Sequence, residues 1–334
     1  METGALHAGR VRASCRAVQV PRSPFIADQD RARIRELGLA SRRWAALHYH
    51  FCAETHGWAA GRNSRRGTDR LMAYVGPAGP WDDLPHGDYV STVCQYLSAA
   101  ADHLDGFGAA CLAGAALFPP ATLSRAAFEF AVQAVWLLDP RCDWRHRAAR
   151  EHLELLLGIE EQIKGTPKVL PDGTSNASRA ELKRFRREFR EVTIPGLFDS
   201  VVVDQSQPDS KEARHTIVED ERLLSPTAAA EHYEMLTFGE VVGFYDALSA
   251  LCHPNPLMTR RSARDVSDRG PDQPRGRRFE ASVESTERAL QMTMQALMKA
   301  EFTWAAYSGW VDAPLRQWED EIEAVLPGSY NPSK

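Results

Sequence analysis

Apolar residues along this chain recur with a helical period far more often than they alternate. From Asp30 to about Ala60, the residues Ile34, Leu37, Trp44, Leu47, Phe51 and Trp58 fall on one stripe with arginines on the other faces, which predicts a long amphipathic helix. The middle of the chain is patterned most strongly. Helices are predicted over about 88–117, 121–138 and 143–165, bounded by Pro119-Pro120 and Asp139-Pro140, because the residue before a proline is pushed away from helical geometry. Ser178 is placed to cap a charged helix through Val192 whose apolar stripe is Leu182, Phe185 and Phe189. Val201 to Val203 predicts one short strand. Ser225-Pro226 reads as the cap and first residue of a helix through Met235, and Thr237 as the cap of another ending at His253-Pro254. A long helix from about Phe279 to Tyr307 and a short one from Pro314 to Val325 close the chain.

The segments between these elements are rich in Gly, Pro and charge. The organisation expected is a disordered tail over 1–28, a single helical domain over 29–325 with flexible loops near 61–87, 165–177, 204–224 and 257–278, and a C-terminal tail over 326–334. With roughly seven to nine helices and little strand, the fold class is all-α, a multi-helix bundle with long irregular loops.

Composition narrows the function classes. At 334 residues, 43% hydrophobic and 25% charged, the chain can bury a substantial core and is not a disordered protein. Its net charge of -5 gives no global field for nucleic acid, so any such contact rests on a local patch. Two patches exist: Arg179, Lys183, Arg184, Arg186, Arg187 and Arg190 in one helix, and Arg260, Arg261, Arg275, Arg277 and Arg278 in a later loop. Glu181, Glu188 and Glu191 interleave in the first, as on a solvated face, which makes RNA a minor expectation. The cysteines are scattered, include no CxxC pair, and read as reduced core residues. No secretory pattern follows Arg10, Arg12 and Arg16, and the apolar runs 107–118 and 126–138 fall short of the roughly 20 residues a membrane span needs. A cytoplasmic protein without membrane contact is expected. Walker A, GxGxxG, HExxH and paired-carboxylate signatures do not occur, so no cofactor is expected.

Chemistry is suggested by polar residues set in apolar helices. Arg125, Glu129 and Trp136 lie close together on one face of the helix 121–138. A partly buried ion pair there adds little stability, so it reads either as a bridge between helices or as the polar floor of a pocket. On the next helix Arg145 shares a direction with Ala149, His152, Leu156, Ile159 and Ile163, whereas Arg147 and Arg150 are expected to project elsewhere. A neutral histidine can exchange protons and a fixed arginine can hold a phosphate, so Arg145 and His152 are the candidate catalytic pair. Tyr245, Ser249 and His253 line one face of a later helix, but Ser249 lacks the elbow and oxyanion loop of a hydrolase. His48, Cys52 and His56 follow one flank of the first helix. Ligands eight residues apart lie about 12 Å apart along the axis, so the three in line make no closed metal site; a pair of them joined by His86 or His103 is the alternative, and ordinary amphipathic packing is the expectation.

The stretch from Tyr96 to Glu161, with its AADHLDGF, LSRAAFEFAVQAVWLLDP and WRHRAAREH segments, resembles a group of uncharacterised helical bacterial proteins. The later FYDALSALCHP, residues 244–254, resembles that group's second landmark, a Tyr-Ser-His ending a helix. Together these cover about a third of the chain, and the resemblance implies one helical domain formed from both halves. More distantly the arrangement is similar to HEPN domains, helical bundles that often dimerise and many of which are metal-independent RNases. Those carry an Arg and a His separated by four to six residues, matched here by Arg145 or Arg147 with His152. The resemblance implies His152 as acid/base for attack by a ribose 2′-hydroxyl and Arg145 as the phosphate anchor.

Two functions follow as expectations. The first is a non-catalytic interaction or scaffold protein, acting as a homodimer or with a protein partner, in which Arg125, Glu129, Arg145, His152 and His253 form a buried network. The alternative is a HEPN-like RNase using Arg145 and His152.

Overall fold

A computed structural model describes residues 28–55, 64–75, 85–114, 118–165, 174–203, 212–252, 263–265, 277–279 and 283–328. The fold is all-α, a multi-helix bundle with small antiparallel additions. Helix α1 (Asp28–Thr55) buries the predicted stripe of Ile34, Leu37, Trp44 and Phe51 along α3 (Pro85–Leu112). The two cross where glycines let their backbones touch. A Cβ on Gly108 would come 2.5 Å from the Gly38 carbonyl oxygen, and one on Gly38 would meet the Gly108 carbonyl at 2.9 Å.

Helix α4 (Phe118–Leu137) is the centre of the bundle. It packs on α3 and on α11 (Val283–Ser308), and also meets α9 (Pro226–Phe238) and α10 (Phe244–Cys252). A helix enclosed this way must be apolar nearly all round, and Ala127, Phe128, Ala131, Val132 and Val135 are all buried. Its buried Ser124 is satisfied at close quarters. The Ser124 hydroxyl sits 2.6 Å from that of Thr293, and Thr293 donates to the Ser124 carbonyl at 3.0 Å. Pro119 and Pro120 lie inside the first turn of α4, not in a turn before it, because first-turn amides have no intrahelical acceptor to lose.

Helix α5 (Trp144–Gly165) leads to α6 (Thr174–Glu188), which begins ahead of Ser178, so that serine is not its cap. A π-helical turn (Phe189–Thr193) joins α6 to α7 (Ile194–Leu197). The predicted strand β1 (Val201–Val203) forms and pairs antiparallel with β2 (Thr216–Val218), which pairs with β3 (Glu221–Arg222). These strands, with α8 (Glu212–His215), occupy much of the 204–224 stretch expected as loop. Likewise α2 (Arg65–Val75) lies within 61–87, and β4 (Ala263–Asp265) pairs with β5 (Arg277–Phe279) within and beside 257–278. Short strands with charged alternate positions carry too little apolar signal to be read from sequence.

Ser225 caps α9 as expected, its hydroxyl oxygen accepting from Ala228 N at 3.2 Å with Pro226 next in line. Thr237 falls within α9. The N-terminus of α10 is capped instead by Glu234, whose buried carboxylate accepts from the amides of Val242, Gly243 and Phe244 at 2.7–2.8 Å. Helix α12 (Ala313–Val325) packs on α11 and α1 to complete the described structure. No described helix is long and apolar enough to cross a membrane.

Candidate functional site

Several of the bundle's buried charges, Asp139, Arg147 and Arg150 among them, meet at the turn between α4 and α5, residues 138–143. Asp139 closes the turn, its carboxylate accepting from Arg141 N at 2.9 Å while Pro140 prevents the helix from continuing. The last carbonyls of a helix lack intrahelical donors, and here Arg150 of α5 reaches back to one of them while Arg147 reaches a carbonyl of the turn that follows. Arg150 donates to the Trp136 carbonyl, and Arg147 to that of Cys142. Both guanidinium groups are otherwise enclosed.

Arg147 is 0% exposed, and Arg150 only 5%. This corrects the expectation that they project away from the core. Helical phase assumes one buried face, whereas the first half of α5 is covered on all sides, by α2, α3 and α4 and by the β2–β3 hairpin. Arg147 pairs with Asp69 of α2, and Tyr307 of α11 donates to the same carboxylate oxygen at 2.9 Å. The guanidinium also lies over the Tyr307 ring, 5.3 Å from its centre. Arg150 holds Glu221 of β3 in a two-pronged pair at 2.8 and 3.0 Å and lies 5.1 Å over the Trp136 ring. Burial raises the pKa of Asp139, but His232 of α9 at 3.0 Å and Arg141 at 2.8 Å outweigh it and hold the carboxyl well below the usual range. Burial pushes the nearby Cys142 thiol up to about 11, so it is no thiolate nucleophile at neutral pH.

The predicted catalytic pair is placed on one flank of α5 but not in one site. Arg145 donates to Asp199 and Glu219, each at 2.9 Å, with its hydrogen bond to Glu219 and that carboxylate's charge raising its pKa over the cost of burial. Glu219 also accepts from Asp199 N at 2.8 Å. It stands in the β2–β3 turn, where Glu219 and Asp220 both have left-handed backbone at φ 49° and 65°. Such a conformation costs a non-glycine residue about 1–2 kcal/mol, and the Arg145 clamp holds it. His152 lies two turns further on, roughly 10 Å along the axis. Its ring is stacked on Phe189 at 5.5 Å and meets the edge of Phe198 at 5.2 Å, while Nδ1 donates to the Ala148 carbonyl at 2.8 Å. Burial lowers its pKa, partly offset by that hydrogen bond, so the ring is neutral near pH 7.

The other predicted residues separate too. Arg125 donates to Glu129 at 2.7 Å and to the Tyr245 hydroxyl at 2.6 Å, lying 4.9 Å over the Tyr245 ring. This cluster ties α4 to α10; it is partly exposed and separate from Arg145 and His152, not part of one buried network with them. Trp136 turns inward beneath Arg150, and Ser249 is half-buried with no hydrogen-bond partner among the described residues. His253 lies outside the described residues. The residues the sequence reading missed, Asp69, Asp139, Glu221, His232 and Tyr307, come from five separate segments. Only the Asp139-Pro140 turn beside a run of arginines signalled the place.

Two further groups of buried polar residues complete the interior. Glu151 accepts from Thr92 at 3.0 Å, and Glu154 from the Tyr96 hydroxyl at 3.1 Å. Burial raises the Glu154 carboxyl to about 7, the Tyr96 bond opposing it. His48 pairs through Nδ1 with the buried Glu301, and His103 stacks on Phe130 at 5.6 Å, while Cys52, His56 and His86 have no described side chains. Among the described residues no three or more His, Cys, Asp or Glu are grouped to hold a metal ion. On α6, Lys183, Arg184 and Arg187 are exposed among Glu181 and Glu188, as on a solvated face. Compared with protein-family models, with curated proteins and with solved structures, the chain matches none.

Proposed function

We propose that the protein is a non-catalytic helical interaction protein whose central arginines and histidine organise the bundle. The observation that carries this reading is the separation of Arg145 from His152, the first spent on the β2–β3 turn and the second enclosed by Phe189 and Phe198. A general acid/base must come within hydrogen-bond reach of the proton it moves, and His152 is only 3% exposed. The resemblance to HEPN domains offers a homodimer as the first partner to test.

The deciding experiment incubates the full chain with single-stranded and structured RNA in excess chelator. No cleavage is expected from the wild type. Cleavage that disappears in both Arg145→Gln and His152→Asn, each shown by circular dichroism to be folded, would reject the reading in favour of a metal-independent RNase. Sedimentation velocity on the same preparation reads self-association directly, a concentration-dependent dimer being the expected result.

A further inference from the structure

A cleft of about 490 Å³ opens between α9, α11, the turn 309–312 and α12. Pockets that hold small organic molecules span about 300–1,000 Å³. Helical spacing builds it, since Gln295, Lys299, Phe302 and Ala306 follow one another along one face of α11. The rings of Phe238, Phe302 and Trp310 give it flat apolar walls.

Its polar groups fall into two sets. Arg316 is already held, donating to Asp312 at 3.3 Å and Glu319 at 3.2 Å, with its guanidinium 4.7 Å over the Phe302 ring. Lys299 is different. It is half-buried, and no carboxylate among the described residues pairs with it. The Gln295 amide and the Thr237 hydroxyl likewise have no hydrogen-bond partner among the described residues, and the Thr237 oxygen is shut off from bulk water. An ammonium beside an apolar wall, with no carboxylate of its own, attracts an anion that can place its apolar part on that wall. One cation and one amide therefore border a flat-walled space without partners among the described residues, while the Thr237 oxygen lies behind its wall.

We propose that this cleft binds a small flat aromatic carboxylate, its ring between Phe302 and Trp310 and its carboxylate on Lys299, with Gln295 fixing its orientation. The site shares no residue with the α5 centre and stands independently of the function proposed for that centre.

Isothermal titration of the full chain with 2-naphthoate, and with 2-naphthamide as its neutral counterpart, tests this. The carboxylate should bind at one site per chain and about tenfold or more tighter than the amide, the difference made by one charge-assisted hydrogen bond. Lys299→Met should erase that preference, Lys299→Arg should keep it, and Ala306→Trp, which fills the cleft from its exposed rim, should abolish both. Circular dichroism checks the fold of each variant. Absence of naphthoate binding to the wild type, or binding that is indifferent to Lys299→Met, would overturn the proposal.

Discussion

Arg147 is a fully buried cation and Lys299 a half-buried one, and they differ in what surrounds them. Arg147 meets a carboxylate, two carbonyls and an aromatic face, and the Tyr307 hydroxyl completes its counterion's shell. Lys299 borders open space lined by aromatic rings, the Gln295 amide and the Asp312–Arg316 pair. A charge whose partners all belong to the fold tends to be architecture, however closely its spacing imitates a catalytic motif. A charge left with open valence beside a cavity is where a ligand can contribute something the chain does not. On that contrast the α5 centre fits the structural knot proposed for it, and the cleft beside α11 is the place to look for recognition.

Breaking the knot should have the largest effect. Arg147→Met takes from the buried Asp69 carboxylate its α5 cation, and urea unfolding should show a loss of about 3–5 kcal/mol. Converting both partners, Arg147→Met with Asp69→Leu, should recover much of that loss because no ion is left without its counterion. Full additivity of the two losses would mean that Arg147 acts through its carbonyl contacts instead.

Next in size is an effect of pH. Folded Glu154, raised to about 7, keeps its proton where the unfolded chain releases it near 4.5. Its contribution is therefore fully present below pH 4.5 and lost as pH rises through 7. His152 has the opposite sign. Its folded pKa is lowered, so the unfolded chain takes up the proton first and stability falls as pH drops below 6.5. Glu154→Gln, which still offers Tyr96 an acceptor, should raise stability at pH 8 by up to about 3 kcal/mol and leave it nearly unchanged at pH 4. Denaturation at the two pH values reads this directly, and an equal gain at both would point to packing, not charge.

Glu234→Ala removes the acceptor for three successive amides and should cost about 2 kcal/mol. Hydrogen exchange should accelerate at Val242, Gly243 and Phe244 well before the rest of α10 responds. The smallest stability effect belongs to Lys299→Met, within about 0.5 kcal/mol on thermal unfolding, since no bond within the fold is lost. A larger destabilisation would give Lys299 a structural role and weaken the contrast with Arg147.

Much of the fold was legible because its long helices carry their own period. The stripe of α1, the apolar α4 and the Ser225-Pro226 start of α9 are local patterns with local causes. What escaped is non-local. The strands β2 and β3 are two or three residues long and depend on partners across the hairpin and on Arg145. The α10 cap is supplied by Glu234, ten residues before Phe244, and not by the nearer Thr237. The helical wheel placed Arg145 and His152 on a common flank of α5, yet it could not show that the opposite flank is buried as well, by α2 and α11, whose sequences lie far away. Spacing between an arginine and a histidine fixes a direction on one helix, whereas a site needs a second surface.

The Asp69, Arg147 and Tyr307 triad also has a consequence in time. Arg147 stands 78 positions from Asp69, and Tyr307 stands 238 from it, so the cluster draws on nearly the whole chain. Contacts so distant in sequence pay their loop-closure entropy late in folding. A chain emerging from synthesis has made α2 and α5 long before it has made α11, and until then the pair lacks the hydroxyl and the ring that close over it. Completion of the bundle is thus registered at its centre, where the last long helix to arrive seals a charge that the earlier ones could only hold open to water.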